Sequence, residues 1–177
     1  MGDFYKSFYV GDRLGEERKL KIIDFESDLR FNYPTHVAVN EYLENGAKDI
    51  YLSIFSYVGS RNNKILNNVT IGGATHGDQM PYLFDYESFK DVMSEQDQVV
   101  LDRMTTMHTN FVKYGNPTPD TTDLLPVKWT TVTKDTRNYL EINSDLKMKN
   151  RPFQERMAFW DLFYKLNKKS QIGYQDV

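Results

Sequence analysis

Cysteine is absent from all 177 residues. The chain can therefore form neither a disulfide framework nor a thiolate metal site. The absence is compatible with a reducing compartment without requiring one. Long apolar runs are lacking too, and no stretch reaches membrane-spanning length. Charge of one sign is not in excess. Lys and Arg number 22 against 25 Asp and Glu, a net charge of −3, which supplies no electrostatic pull towards nucleic acid. Met1-Gly2-Asp3-Phe4-Tyr5 has no basic region followed by an apolar stretch, so it does not read as a signal peptide. Tyr174-Gln175-Asp176-Val177 is not an endoplasmic-reticulum retention tail. Internal repeats and low-complexity segments are missing. What is present is a globular mixture, 40% hydrophobic, 27% charged and 14% aromatic. That is enough to bury one core, and one domain is expected rather than two.

Phe4, Tyr5, Phe8 and Tyr9 fall at i, i+4 spacing near the start. Glu16 to Arg30 reads as a helix. Leu20, Ile23 and Ser27 form one stripe, with Ile22, Phe25 and Leu29 beside it. Tyr33-Pro34 should end that helix, because a residue before proline avoids the helical region. Thr35 is the expected N-cap of a second helix, His36 to Glu44, closed by Asn45-Gly46. Asp49 to Val58 is nearly apolar and rich in aromatic and β-branched residues, as suits a strand covered on both faces. A polar loop, Gly59 to Asn68, follows. Ser94-Glu95-Gln96-Asp97 has the form of a helix-start box. Its helix should run to Tyr114, with Val100, Met104, Met107 and Phe111 on one face, and Gly115-Asn116-Pro117 should stop it. Arg137 to Ile142 and Asp145 to Lys149 read as two short strands around Asn143-Ser144. Arg151 to Leu166 is the last helix, with Phe153, Met157, Trp160 and Tyr164 as its buried stripe.

One loop carries recognisable chemistry. Gly72-Gly73-Ala74-Thr75-His76-Gly77-Asp78-Gln79-Met80-Pro81-Tyr82-Leu83-Phe84 sets a single histidine among glycines. Gly73 and Gly77 let the backbone bend tightly around His76 and leave its ring uncrowded. A neutral imidazole titrates near neutral pH, so it can take up a proton and return it within one reaction cycle.

This loop resembles the histidine loop of the carboxylesterase/cholinesterase family of α/β-hydrolases, nearest to insect carboxylesterases and juvenile-hormone-esterase-like proteins. Other segments are similar to the family in the same order. These are Asn110-Phe111-Val112-Lys113-Tyr114-Gly115-Asn116-Pro117-Thr118-Pro119, then Lys128-Trp129, Tyr139-Leu140-Glu141-Ile142 and Arg156-Met157-Ala158-Phe159-Trp160. The resemblance implies an α/β fold, the C-terminal portion of one α/β-hydrolase domain spanning residues 1–177. It implies late sheet strands with flanking helices, incomplete when taken alone. It also implies that His76 is the histidine of a Ser-His-Glu or Ser-His-Asp triad, acting on a small-molecule carboxylic ester in the full-length protein. No cofactor follows from it.

Gly-x-Ser-x-Gly, the elbow that presents such a serine, does not occur in the chain. Tyr57-Val58-Gly59-Ser60-Arg61 lacks both required glycines. The family order Ser, acid, His places nucleophile and acid before this stretch, so the chain is expected to be inactive alone and poorly soluble. The alternative is a non-catalytic, cholinesterase-like adhesion protein on the same fold; a serine elbow upstream of Met1 would favour the enzyme and its loss the binder. Asp78 is read as a loop-bracing acceptor, because two residues from His76 it would have to fold back on its neighbour to serve as the triad acid. Gln79 stands where many family members have Glu, and Met80 where they have Leu. His36 and His108 fall on helices without motifs and read as structural. His76-Gly77-Asp78 has no second histidine cluster to complete a metal site, and Gly72-Gly73-x-x-x-Gly77 lacks dinucleotide-loop spacing. Asn68-Val69-Thr70 is a glycosylation sequon, relevant only if the protein is secreted. Compartment (cytoplasm or secretory route), ester identity and oligomeric state are not readable from these residues.

Overall fold

The computed structural model describes residues 6–63, 72–89 and 93–167. Its helices are α1 (Gly15–Ser27), α2 (Tyr33–Glu44), α3 (Glu95–Tyr114) and α4 (Gln154–Leu166), and its strands are β1 (Ser53–Phe55), β2 (Asn138–Ile142) and β3 (Leu146–Asn150). The chain is α/β. It divides into two compact units, one made of Met1–Gly46 with Phe153–Val177, the other of Ala47–Pro152.

The first unit is helical. Tyr33-Pro34 does not end the helix there. Instead a π turn, Asp28–Asn32, joins α1 to α2 without a break. The Tyr33 N–H reaches back to the Asp28 carbonyl, five residues away. This wider turn makes room for the proline ring, and Pro34 sits in the first turn of α2, where no backbone donor is needed. The N-cap is accordingly Asn32 rather than Thr35. Asn45 and Gly46 close α2, the glycine at φ 85°. The stripe expected on α1 is not buried: Leu20, Ile22 and Ile23 are exposed. Phe25 and Leu29 instead pack, with Tyr33, against Met157, Trp160 and Phe163 of α4. That last helix starts at Gln154, not Arg151. Arg151 and Phe153 both hold left-handed backbone, at φ 48° and 51°, so the helix cannot begin before them. Phe153 lies under the Arg156 guanidinium, 4.3 Å from its ring centre. Of the aromatic residues near the start, Phe4 and Tyr5 lie outside the described residues, whereas Phe8 stacks on Phe159 at 4.1 Å.

The second unit holds a sheet in the order β1-β2-β3. β1 pairs parallel to β2, with Ser53 opposite Leu140. β2 and β3 form an antiparallel hairpin, with Leu140 opposite Met148. Each hairpin strand begins one residue later than the sequence pattern suggests. Arg137, at φ 50°, turns the chain into β2, and its carbonyl accepts from the Arg151 N–H at the open end of the hairpin. The strand expected over 49–58 is regular only at 53–55. Its N-terminal flank bonds partly outside the ladder: Ile50 O accepts from Val132 N, while Leu52 O accepts from Leu140 N of β2. Trp129 Nε1 also donates to Leu52 O. Ser53 is exposed, and Tyr57 is the one buried residue of that stretch. β1 lies at the edge of the described sheet, and its exposed Ser53 shows that it is not covered on both faces.

α3 starts and stops as its caps dictate. The Ser94 side chain accepts from Asp97 N, the Asp97 carboxylate accepts from Ser94 N, and Gly115 ends the helix at φ 67°. The residues after it are held by side chains rather than by a ladder. Asn110 Nδ2 donates to Pro117 O, and Thr118 N donates to Asn116 Oδ1. Trp129 N donates to the buried Thr118 Oγ1. Val100, Met104 and Met107 are buried in a core with Leu125, Trp129, Leu140, Ile142 and Leu146. Phe111, the fourth member of the expected face, is half exposed against Tyr51.

Candidate active site

The histidine loop is described from Gly72 onward, while Asn68 lies outside the described residues. Two tight bonds shape it: Asp78 N to Thr75 O at 3.1 Å and Met80 N to Gly77 O at 3.0 Å. Gly77 sits at φ 86°, in the region that favours glycine. At Gly73 an added Cβ would stand in open space, and the left-handed residue before the histidine is Gly72, at φ 78°. His76 is exposed. Its ring therefore faces outward from a backbone bent on both sides.

Asp78 is fully buried beneath the loop. Its Oδ1 accepts from Asn63 N at 2.7 Å. Its Oδ2 accepts from Asn62 Nδ2 at 2.9 Å and from Thr75 N at 2.6 Å. A carboxylate in this setting needs such donors, because an unpaired buried charge is costly. Asn62 is buried as well and uses both ends of its amide. Nδ2 also donates to Tyr57 O at 2.9 Å, while Oδ1 accepts from Gly59 N at 2.8 Å. Arg61, also buried, ties down the segment after the histidine by donating to Pro81 O at 3.0 Å and Phe89 O at 3.2 Å.

Beyond Asn62 lies a second buried carboxylate, Asp97. Tyr57 and Tyr82 both bring their hydroxyls to its Oδ1 at 3.0 Å. Ser94 N and Ser94 Oγ donate to its Oδ2 at 2.8 and 2.7 Å, and Ser60 Oγ donates to the same oxygen. Burial pushes the Asp97 carboxyl up, but the bonds from Ser60, Ser94 and Tyr57 outweigh it and hold the group down at about 2. The same contacts act in reverse on the phenols. Burial and then the Asp97 carboxylate push Tyr57 up to about 12 and raise Tyr82 further. Gly59 is needed here for space. A Cβ would run into Asp97 Oδ1 and Tyr57, and would lie 2.7 Å from the Tyr82 hydroxyl.

Asn62 carries no motif that would have singled it out; Tyr82 stood in the histidine-loop motif and Gly59 and Ser60 within a failed serine elbow without any role assigned, and Asp97 was visible only as the acid of a helix-start box. His36 Nε2 lies 3.5 Å from Asp161 and His108 Nδ1 lies 2.7 Å from Met104 O, each on its own helix. No group of three or more His, Asp or Glu that could hold a metal occurs among the described residues. No described helix is long and apolar enough to cross a membrane.

A profile of the Carboxylesterase family matches residues 3–160. The chain belongs to the carboxylesterase family. It is 26% identical over 169 residues to the bile salt-activated lipase of Rattus norvegicus, which covers 93% of this chain and 27% of the relative. Juvenile hormone esterase of Tribolium castaneum is 32% identical over 104 residues, covering 55% of this chain and 18% of the relative. A solved PNB esterase aligns with a TM-score of 0.47 at 17% identity, covering 62% of this chain and 20% of that one. The chain thus spans about a quarter of the length of the lipases it matches.

Proposed function

We propose that this chain supplies the triad histidine of a serine carboxylesterase, as the C-terminal part of one hydrolase domain that includes both compact units. The family match across residues 3–160 runs through both. The observation that carries the reading is the exposure of His76 on a loop braced from below by the buried Asp78. In this role His76 takes the serine proton as that oxygen attacks the ester carbonyl, then protonates the departing alcohol. Water repeats the cycle, with His76 as base, and the acyl-enzyme is released. Asp78 is spent on Asn62, Asn63 and Thr75, which supports a bracing role with Gly77 and Gly73 rather than that of the triad acid. Serine and acid come from other sequence, so the isolated chain is inactive. The substrate class is a carboxylic ester.

Two assays test this. The purified chain and its His76→Ala variant are given a p-nitrophenyl ester, and neither should turn it over. Turnover that His76→Ala abolishes would show a nucleophile within these 177 residues and overturn the fragment reading. The same substitution in the longest natural product containing this chain should lower kcat by on the order of a thousandfold or more with KM little changed. Hydrolysis that survives it would remove His76 from the mechanism, and absence of a Gly-x-Ser-x-Gly elbow there would favour a non-catalytic binding protein.

A further inference from the structure

The loop around His76 is costly to order. Glycine loses more conformational freedom on folding than any other residue, and three of the loop's positions, 72, 73 and 77, are glycines. Yet a general base must hold its imidazole within hydrogen-bond reach of its partners, and a misplacement of about 1 Å can cost a hundredfold in rate. Something must fix the loop from outside itself.

The buried side chains beneath it form a continuous line. Thr75 N donates to Asp78 Oδ2, which also accepts from Asn62 Nδ2. Asn62 Oδ1 lies 3.1 Å from the Tyr82 hydroxyl, which lies 3.0 Å from Asp97 Oδ1. The single phenolic proton is within reach of both oxygens and is shared between them as a three-centre bond, so Tyr82 joins Asn62 to Asp97. Each of Asp78, Asn62, Tyr82 and Asp97 is fully buried, so water cannot take over a lost bond cheaply. Asp97 itself is fixed at the first turn of α3 by the capping box.

We propose that Asp97 is a positioning residue for His76, holding the histidine loop through Tyr82, Asn62 and Asp78. The proposal rests on His76 being the family histidine, and it assigns Asp97 a task beyond capping a helix. It does not make Asp97 a catalytic residue, since it reaches the loop only through other side chains.

The structure supplies its own control. Tyr57 and Tyr82 each place a hydroxyl 3.0 Å from the same Asp97 oxygen. Only the Tyr82 hydroxyl also meets Asn62 Oδ1; Tyr57 meets Asn62 through its backbone carbonyl, which a side-chain change leaves in place. Tyr82→Phe and Tyr57→Phe, made in the longest natural product containing this chain, therefore remove matched bonds from one carboxylate. Amide hydrogen exchange by NMR reads the loop directly. In Tyr82→Phe, exchange at Thr75 N–H and Asp78 N–H should rise tenfold or more relative to amides inside α3, and Tyr57→Phe should leave that ratio unchanged. Equal rises in both variants, or none in either, would overturn the proposal, because a hub that only stabilises the unit treats both hydroxyls alike. Ester turnover plays no part in this measurement. Failure of His76 as the triad histidine is read in the assays above and seen separately.

Discussion

Each compact unit buries an aspartate among several side-chain partners, Asp28 in one and Asp97 in the other, and these two are satisfied in different ways. In the helical unit Asp28 faces a cation. Arg156 Nε lies 2.7 Å from its Oδ2, while Arg156 NH2 donates to its Oδ1 at 3.0 Å. Tyr9 and Asn32 donate to it at 2.7 Å each. Trp160 Nε1 in turn donates to the Tyr9 hydroxyl at 2.8 Å. In the sheet-containing unit the partners shown for Asp97 are neutral: three hydroxyl side chains besides the capping serine's own backbone and hydroxyl would be too many for one oxygen, so they divide between Oδ1 and Oδ2. A paired charge depends heavily on one partner. A charge held by many dipoles depends a little on each, and can serve as a junction between segments distant in sequence.

The largest effect should come from breaking the ion pair. Arg156→Ala leaves a buried carboxylate without its cation, and should destabilise the helical unit by about 3–5 kcal/mol in denaturant unfolding. Combining it with Asp28→Asn should recover a good part of that loss; no recovery would mean that Arg156 acts through packing on Phe153 instead. Next, Gly59→Ala drives a methyl group into Asp97, Tyr57 and Tyr82 and should cost about 3 kcal/mol by overpacking. A neutral result would show that the hub has slack.

Acid should test the hub around Asp97. The Asp97 carboxyl sits at about 2 in the folded chain against an ordinary 3.8. Its folded value is depressed, so its contribution is complete above the ordinary value and is lost as pH falls from about 4 towards 2. That contribution is about 2 kcal/mol, and Asp97→Asn should remove the acid-dependent step seen in stability measured across this window. Tyr57→Phe deletes one hydroxyl of several and should cost about 1 kcal/mol. The smallest change is expected at Arg30→Ala. Its pair with Glu26 is exposed on the helix surface, so the midpoint should move by less than about 0.5 kcal/mol. A larger shift there would mean that surface pairing matters as much as the buried kind.

Features governed by near neighbours were legible in the sequence. The Ser94 cap and the Gly115 stop bound α3 because both act within one turn. The hairpin and the histidine loop were visible through their turn residues. Other features turned on contacts that no local pattern carries. Pro34 marked a helix end by its own chemistry, but a π turn reaching back to Asp28 admits it. The stretch 49–58 had the composition of a long covered strand, yet Val132 and Trp129 claim its flanking carbonyls.

The family therefore follows from the sequence, since it is recorded in residue type, order and short spacing, and the same pattern singles out His76 as the candidate histidine. Asp97 shows the limit. As the third residue of a helix it can be recognised as a cap, because Ser94 is its neighbour. Its bonds to Tyr57 and Ser60 span 40 and 37 positions, and its path to Thr75 passes through Tyr82 and Asn62. Those side chains meet only after the chain has folded around them, when burial makes each of their hydrogen bonds obligatory.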